Sequence, residues 1–152
     1  MAAPPTKALK SYWSSNRKDN FTTATAKGDS DAKAWKYSFT RVEGYVLTEQ
    51  FAKNLDPSLV KPLKLYWSEG RKDNFTTATA KGDSDAKVHR YRFAETLGYV
   101  YTKQIPGTKP LKLYWNASRK DNFSTATKKG EFDAKASGYE FAETLGLSLI
   151  HI

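Results

Sequence analysis

Arg17-Lys-Asp-Asn-Phe-Thr-Thr-Ala-Thr25 returns letter for letter as Arg71–Thr79 and, with one exchange, as Arg119–Thr127. Identity between the first two copies runs on to Lys33 and Lys87, 17 residues in all, and the third copy keeps 13 of these over Arg119–Lys135. An aromatic pair precedes each copy: Tyr12-Trp13, Tyr66-Trp67 and Tyr114-Trp115. Trp13 to Trp67 is 54 residues and Trp67 to Trp115 is 48. Such a period marks units that are too small to bury their apolar faces alone and must stack on one another. We read one domain over residues 1–152, with repeats at 8–60, 61–108 and 109–152.

Within a repeat the pattern predicts four short strands and a helix. Leu63-Lys-Leu-Tyr-Trp67 alternates, which places Leu63, Leu65 and Trp67 on one face of a half-buried strand. Asp73–Ala78, rich in Thr and Phe, is the second strand. Thr79 stands where an N-cap belongs, opening a short helix through Ala86 to about His89 with Asp83 and Asp85 early in it. Gly138 reads as a helix-ending glycine, a place held by Lys36 and Arg90 in the other copies. Tyr91–Phe93 and Gly98–Tyr101 supply strands three and four, and Pro62 and Pro110 open the second and third repeats. Residues 1–7 form a loosely held leader, residues 51–60 a longer connector than 103–109, and Leu149–Ile152 an apolar edge suited to a dimer.

Three units of four strands match a β-trefoil in count: a β-rich chain closing with pseudo-threefold symmetry, which removes free sheet edges. The short helix fits that fold awkwardly, so the alternative is a three-lobed β-repeat with one outer helix per lobe. Aromatic residues at 14% supply bulk where the apolar fraction is 39%, which argues for a folded protein and against disorder. Cysteine is absent, so disulfides and thiolate metal sites are excluded.

With those residues in place a resemblance emerges. The apolar-x-apolar-Tyr-aromatic run, a polar turn, and Asp19-Asn-Phe21, Asp73-Asn-Phe75 or Asp121-Asn-Phe123 followed by a short helix resembles a triple-repeat domain. That domain, of largely unassigned function, occurs in bacterial surface and fungal proteins. The overall form, small, triplicated and free of cysteine, is also similar to cytoplasmic mushroom lectins. This resemblance implies glycan binding by association.

The residues point the same way. Recent duplication explains the identity of the copies equally well, but the flanks diverge (Ala34–Glu43 against Val88–Leu97) while Arg, Lys, Asp and Asn stay fixed, which favours a job for the segment. A carboxylate, an amide and a planar guanidinium are the groups that read paired sugar hydroxyls, and an indole offers a flat apolar face. The candidate ligand-binding set is Trp13, Arg17, Asp19 and Asn20, with Trp67, Arg71, Asp73 and Asn74, and Trp115, Arg119, Asp121 and Asn122. Tyr66 competes with Trp67 for the stacking role. Two structural readings stand beside this one: the tryptophans as core, and Asp-Asn as turn formers bonding their own backbone. Three such sites on one body would give multivalent binding and agglutination.

Catalysis finds no support. His89 and His151 fall at non-equivalent places, no phosphate loop or nucleophile elbow is present, and Asp29 with Asp31 is better explained by a helix start than by a glycosidase pair. No cofactor and no metal ligand set are expected. A net charge of +9 keeps a nucleic-acid or anionic-polymer binder in play, although the lysines are spread evenly and interleaved with acids. A third possibility is a structural or inhibitory scaffold. No membrane-length apolar run and no signal segment occur, which suggests a cytoplasmic chain or one released without a signal, monomeric or dimeric. The sequons at Asn20, Asn74, Asn122 and Asn116 are read as by-products of the motif.

Overall fold

Tyr12 opposite Phe21 and Ser14 opposite Asp19 close a hairpin in which Ser14 Oγ accepts the Arg17 N–H at 3.1 Å, a serine turn. The computed structural model, which describes residues 6–71 and 73–149, repeats this hairpin three times. In the first repeat β1 (Thr6–Ser14), β2 (Asp19–Thr23), α1 (Ala26–Ala34) and β3 (Ser38–Leu47) follow in order. The short helix α2 (Glu49–Ala52) and a 3-10 turn at Pro57–Leu59 fill the longer connector. The second repeat gives β4 (Val60–Ser68), β5 (Asp73–Thr77), α3 (Ala80–Val88) and β6 (Arg92–Tyr101). The third gives β7 (Thr108–Asn116), β8 (Asp121–Thr125), α4 (Lys128–Ala136) and β9 (Glu140–Leu149).

The chain is β-rich, and its strands form one antiparallel sheet. Each first strand pairs with the second and third of its own repeat, in the same register every time. The third strands then pair with one another, Leu47 with Tyr99, Tyr101 with Leu147 and Tyr45 with Leu149. Where they cross, a Cβ on Gly98 would stand 2.5 Å from Val46 Cγ2, so only glycine permits the approach.

This corrects the four-strand expectation. Tyr91–Phe93 and Gly98–Tyr101 belong to one strand, β6, giving three strands per repeat among the described residues and not the four of a β-trefoil. Ala94–Leu97 looked like a break because its polarity does not alternate. The structure absorbs it in two bulges, where the register slips between Leu63 and Lys64 and between Leu65 and Tyr66. Pro62 lies two residues inside β4, tolerated because this half of the strand is paired only with β6. Thr6 and Lys7, expected in a leader, already belong to β1, while residues 1–5 and the apolar end 150–152 lie outside the described residues.

The alternating face of β4 holds for Leu63 and Leu65, whereas Trp67, read on the same face, lies beyond the second bulge and is half-buried. Leu9, Leu63 and Leu111 are fully buried and meet Leu97, Leu145, Leu65 and Leu113 in the shared interior. A second layer lies under each helix: Tyr12, Phe21, Tyr37 and Ala32, with the same four types in the other repeats. Tyr12 meets Phe21 and Phe39 at 6.4 and 5.7 Å between ring centres, which explains why the tyrosine on the opposite face is buried too. Thr79 caps α3, its side chain accepting the Gly82 N–H at 2.9 Å. The helices end in a left-handed residue, Lys36 and Arg90 at φ 63° and Gly138 at 80°, with Tyr37 N–H reaching back to Ala32 C=O at 2.8 Å.

Gly82 holds its place for packing: a Cβ there would lie 1.7 Å from Thr77 Oγ1 in the strand beneath. Gly82→Ala is expected to destabilise the fold by about 1–3 kcal/mol through overpacking, despite alanine's better helix propensity, as measured by thermal or urea melts.

Candidate functional site

Asp19, Asp73 and Asp121 open β2, β5 and β8 and converge at the centre of the molecule. All three are 1% exposed, and their carboxyl oxygens lie within 4.8 Å of one another. Each acid receives donors from two repeats. From its own repeat comes a tyrosine hydroxyl: Tyr37 to Asp19 and Tyr91 to Asp73, both at 2.5 Å, and Tyr139 to Asp121. From a neighbouring repeat an asparagine donates both its main-chain N–H and its amide: Asn74 to Asp19 at 3.4 and 2.8 Å, Asn122 to Asp73 at 3.2 and 2.7 Å, and Asn20 to Asp121 at 2.9 and 2.5 Å. The bonds run in a cycle, first repeat to third, third to second, second to first.

Burial is the largest influence on these acids and lifts each carboxyl from 3.8 to about 8. The neighbouring acids act in both directions: a hydrogen bond from Asp121 lowers Asp19 while Asp73 raises it, one from Asp19 lowers Asp73 while Asp121 raises it, and Asp19 raises Asp121; the tyrosine donors favour the charged form throughout. Three carboxylates this close cannot all be ionised, so the cluster shares protons and titrates as a unit. Burial, then the adjoining acid, in turn pushes the Tyr37, Tyr91 and Tyr139 hydroxyls well above their usual range. The acids are also the group able to hold a metal ion, but a cation there would have to displace both the shared protons and the tyrosine and amide donors.

The arginines and tryptophans of the repeated segment go elsewhere. Three clefts of about 370, 350 and 390 Å³ lie between adjacent repeats, first to second, second to third and third to first. In each, the arginine of one repeat sits over the tryptophan of the next: Arg17 over Trp67 at 5.8 Å, Arg71 over Trp115 at 5.5 Å and Arg119 over Trp13 at 5.1 Å. Those three tryptophans are half-buried at the cleft walls and are not the sealed core of the alternative reading. Residues at the helix ends close two of the rims: Trp35 stacks on Arg17 at 4.5 Å, and His89 Nδ1 meets Arg71 Nη2 at 3.2 Å. Ion pairs along the helices edge them, Lys27 with Asp31 and Lys81 with Asp85, both at 2.8 Å.

The candidate set therefore divides. Trp13, Arg17, Trp67, Arg71, Trp115 and Arg119 line clefts. Asn20, Asn74 and Asn122 line them too, but their amide nitrogens are engaged by the acids. Asp19, Asp73 and Asp121 turn inward, so the expectation that these acids grip sugar hydroxyls is corrected: a carboxyl sealed from solvent and given three donors has no outward-facing oxygen to offer. Asp-Asn is also not a local turn former, because its bonds cross between repeats. The sequon amides are occupied likewise, and Asn116, 6% exposed, donates to Ser137 C=O at 3.0 Å. Sequence reasoning missed Tyr37, Tyr91 and Tyr139, each 18 residues beyond its acid, and the wall residues Arg41, Glu95 and Glu143. The fixed offset was a usable signal for the tyrosines. No protein family, no curated protein and no solved structure matches the chain.

Folding raises the three acid pKa values, so between about pH 4 and pH 8 the folded chain holds protons that the unfolded chain has released. The cluster's contribution is complete at the acidic end of that window and is lost as pH climbs through it. The melting temperature at pH 5 is expected to exceed that at pH 8.5, and Asp121→Asn to flatten the difference. Asp73→Ala strands the Tyr91 hydroxyl and both Asn122 donors in the interior. It should destabilise the fold by about 3 kcal/mol or more, read by chemical denaturation.

Proposed function

We propose that this chain is a carbohydrate-binding protein of lectin type, with up to three glycan sites in the clefts between its repeats. The observation that carries this reading is the half-buried indole in every cleft, flanked by a guanidinium and by an amide. An indole gives the C–H face of a pyranose an apolar platform, and the polar groups around it suit paired hydroxyls. The repeated register and the cyclic bonding support the finer architectural reading as well: three lobes related by a pseudo-threefold axis, each carrying one short helix. Three sites on one rigid body raise avidity about a hundredfold or more over a single contact, and so favour cross-linking of glycan-bearing surfaces. No helix among the described residues is long and apolar enough to cross a membrane.

The net charge of +9 favours one competing reading, an anionic-polymer binder. Salt separates them, because phosphate-backbone binding weakens steeply with ionic strength and binding to neutral glycans does not. Purified protein on a glycan array is expected to bind, with affinity nearly constant between low and physiological salt. Trp67→Ala should weaken binding at the first cleft about tenfold, with Trp67→Phe and a melting curve as controls for the fold. A blank array together with salt-sensitive binding to nucleic acid would reassign the protein.

A further inference from the structure

Three positions change together in the first repeat. Where the other repeats place Leu65 and Leu113, it has Ser11; for Glu95 and Glu143 it has Arg41; for Leu97 and Leu145 it has Glu43. In the second and third repeats the wall glutamate accepts from the threonine that caps the preceding repeat's helix, Thr25 to Glu95 at 3.0 Å and Thr79 to Glu143 at 3.1 Å. In the first repeat that duty passes to Glu43, two residues further along β3 and fully buried. Thr125 donates to it at 2.5 Å and Thr127 at 3.4 Å, while Ser11, standing where leucine would fill space, donates at 2.6 Å. The wall position is thereby released to Arg41, which is fixed by Glu43 at 2.8 Å behind it and by Asp133 beside it.

The exchange makes the third cleft unlike the other two. Its lining carries two guanidinium groups, Arg41 and Arg119, against the single acid Asp133. The first cleft is lined by Arg17 and Lys27 against three acids, Asp31, Glu69 and Glu95, and the second balances Arg71 and Lys81 with Asp85 and Glu143. Counting the charges immediately behind the third cleft leaves its balance unchanged, since Glu43 pairs with Arg41 and Lys129 pairs with Asp133. Arg119 lies 5.1 and 5.8 Å from the Trp13 and Tyr139 rings and, like Arg17 and Arg71, has no ion pair among the described residues, so the second guanidinium is what sets this cleft apart. Ser137 replaces the bulkier Trp35 and His89 at the rim, so the approach is open on this side.

Resting on the glycan reading, we infer that the third cleft is a subsite for an anionic group carried on a sugar, a carboxylate or a sulfate ester, and that the first two clefts take uncharged residues. A half-buried guanidinium without an internal acid gains most from an anion that arrives with the ligand, and a second guanidinium lining the same cleft suits its oxygens. The pre-set position of Arg41, held from behind by a buried carboxyl, lowers the ordering cost of that contact.

The test uses the full chain and three oligosaccharides of one backbone: neutral, with a uronic acid, and with a sulfate ester. Indole N–H signals of Trp13, Trp67 and Trp115 report the third, first and second clefts in turn. The acidic sugars should shift Trp13 selectively and bind about tenfold tighter than the neutral one. A preference for only one of the two acidic sugars still supports the inference and identifies the group. Ser11→Leu/Arg41→Glu/Glu43→Leu restores the pattern of the other repeats and should erase the preference while neutral binding persists. The reciprocal Leu113→Ser/Glu143→Arg/Leu145→Glu, added to that variant, should move the preference to Trp115. Neutral binding with no acidic preference, or acidic sugars perturbing the three indoles alike, overturns the inference and leaves the lectin reading standing. Absence of binding by all three sugars overturns both.

Discussion

A carboxyl group removed from water must be satisfied by whatever surrounds it, and in this chain three such groups surround one another. Asp19, Asp73 and Asp121 meet at the centre, each completed by a tyrosine of its own repeat and an asparagine of another. No repeat can satisfy its acid by itself. The requirement selects a single relative placement of the three units, because a shift of a few ångströms would leave a buried acceptor or donor unpaired, at a cost comparable to much of the net stability of a small domain. Apolar contact between Leu9, Leu63 and Leu111 brings the units together without that directional demand.

This division explains why so hydrophilic a stretch is held fixed. Asp and Asn serve the interior, Phe21 and its counterparts fill the layer below the helix, and Arg17, Arg71 and Arg119 leave the same loop to bridge toward the next repeat's tryptophan. A segment of a few residues thus contributes to the central cluster, to the peripheral core and to the cleft walls. The clefts arise where repeats join edge to edge, and their differences lie outside the repeated segment, in the flanking strands and at the helix ends.

Much of the local structure was legible. Thr79 announced its helix, Leu63 and Leu65 their buried face, and the residues at 36, 90 and 138 a helix end that needs a left-handed backbone. What escaped was non-local. Ala94–Leu97 has the polarity of a loop, and only pairing with β4 reveals bulges in a continuous strand. Arg-Lys-Asp-Asn reads as surface by every hydropathy measure, yet Asp73 is buried because two other copies stand ready to meet it, a fact contained in no single repeat. Glu43 looked like ordinary divergence until Ser11 and Arg41 were found beside it.

The cyclic direction of the central bonds has a further consequence. Every repeat both offers an acid and supplies the asparagine for another repeat's acid, so the contact is heterologous: donor patch and acceptor patch are different surfaces of the same unit. Such contacts either propagate without end or close, and this one closes at three. One repeat sequence accordingly contains both halves of its own assembly code, and a homotrimer of separate single-repeat chains would meet every central bond that the covalent chain now meets within itself.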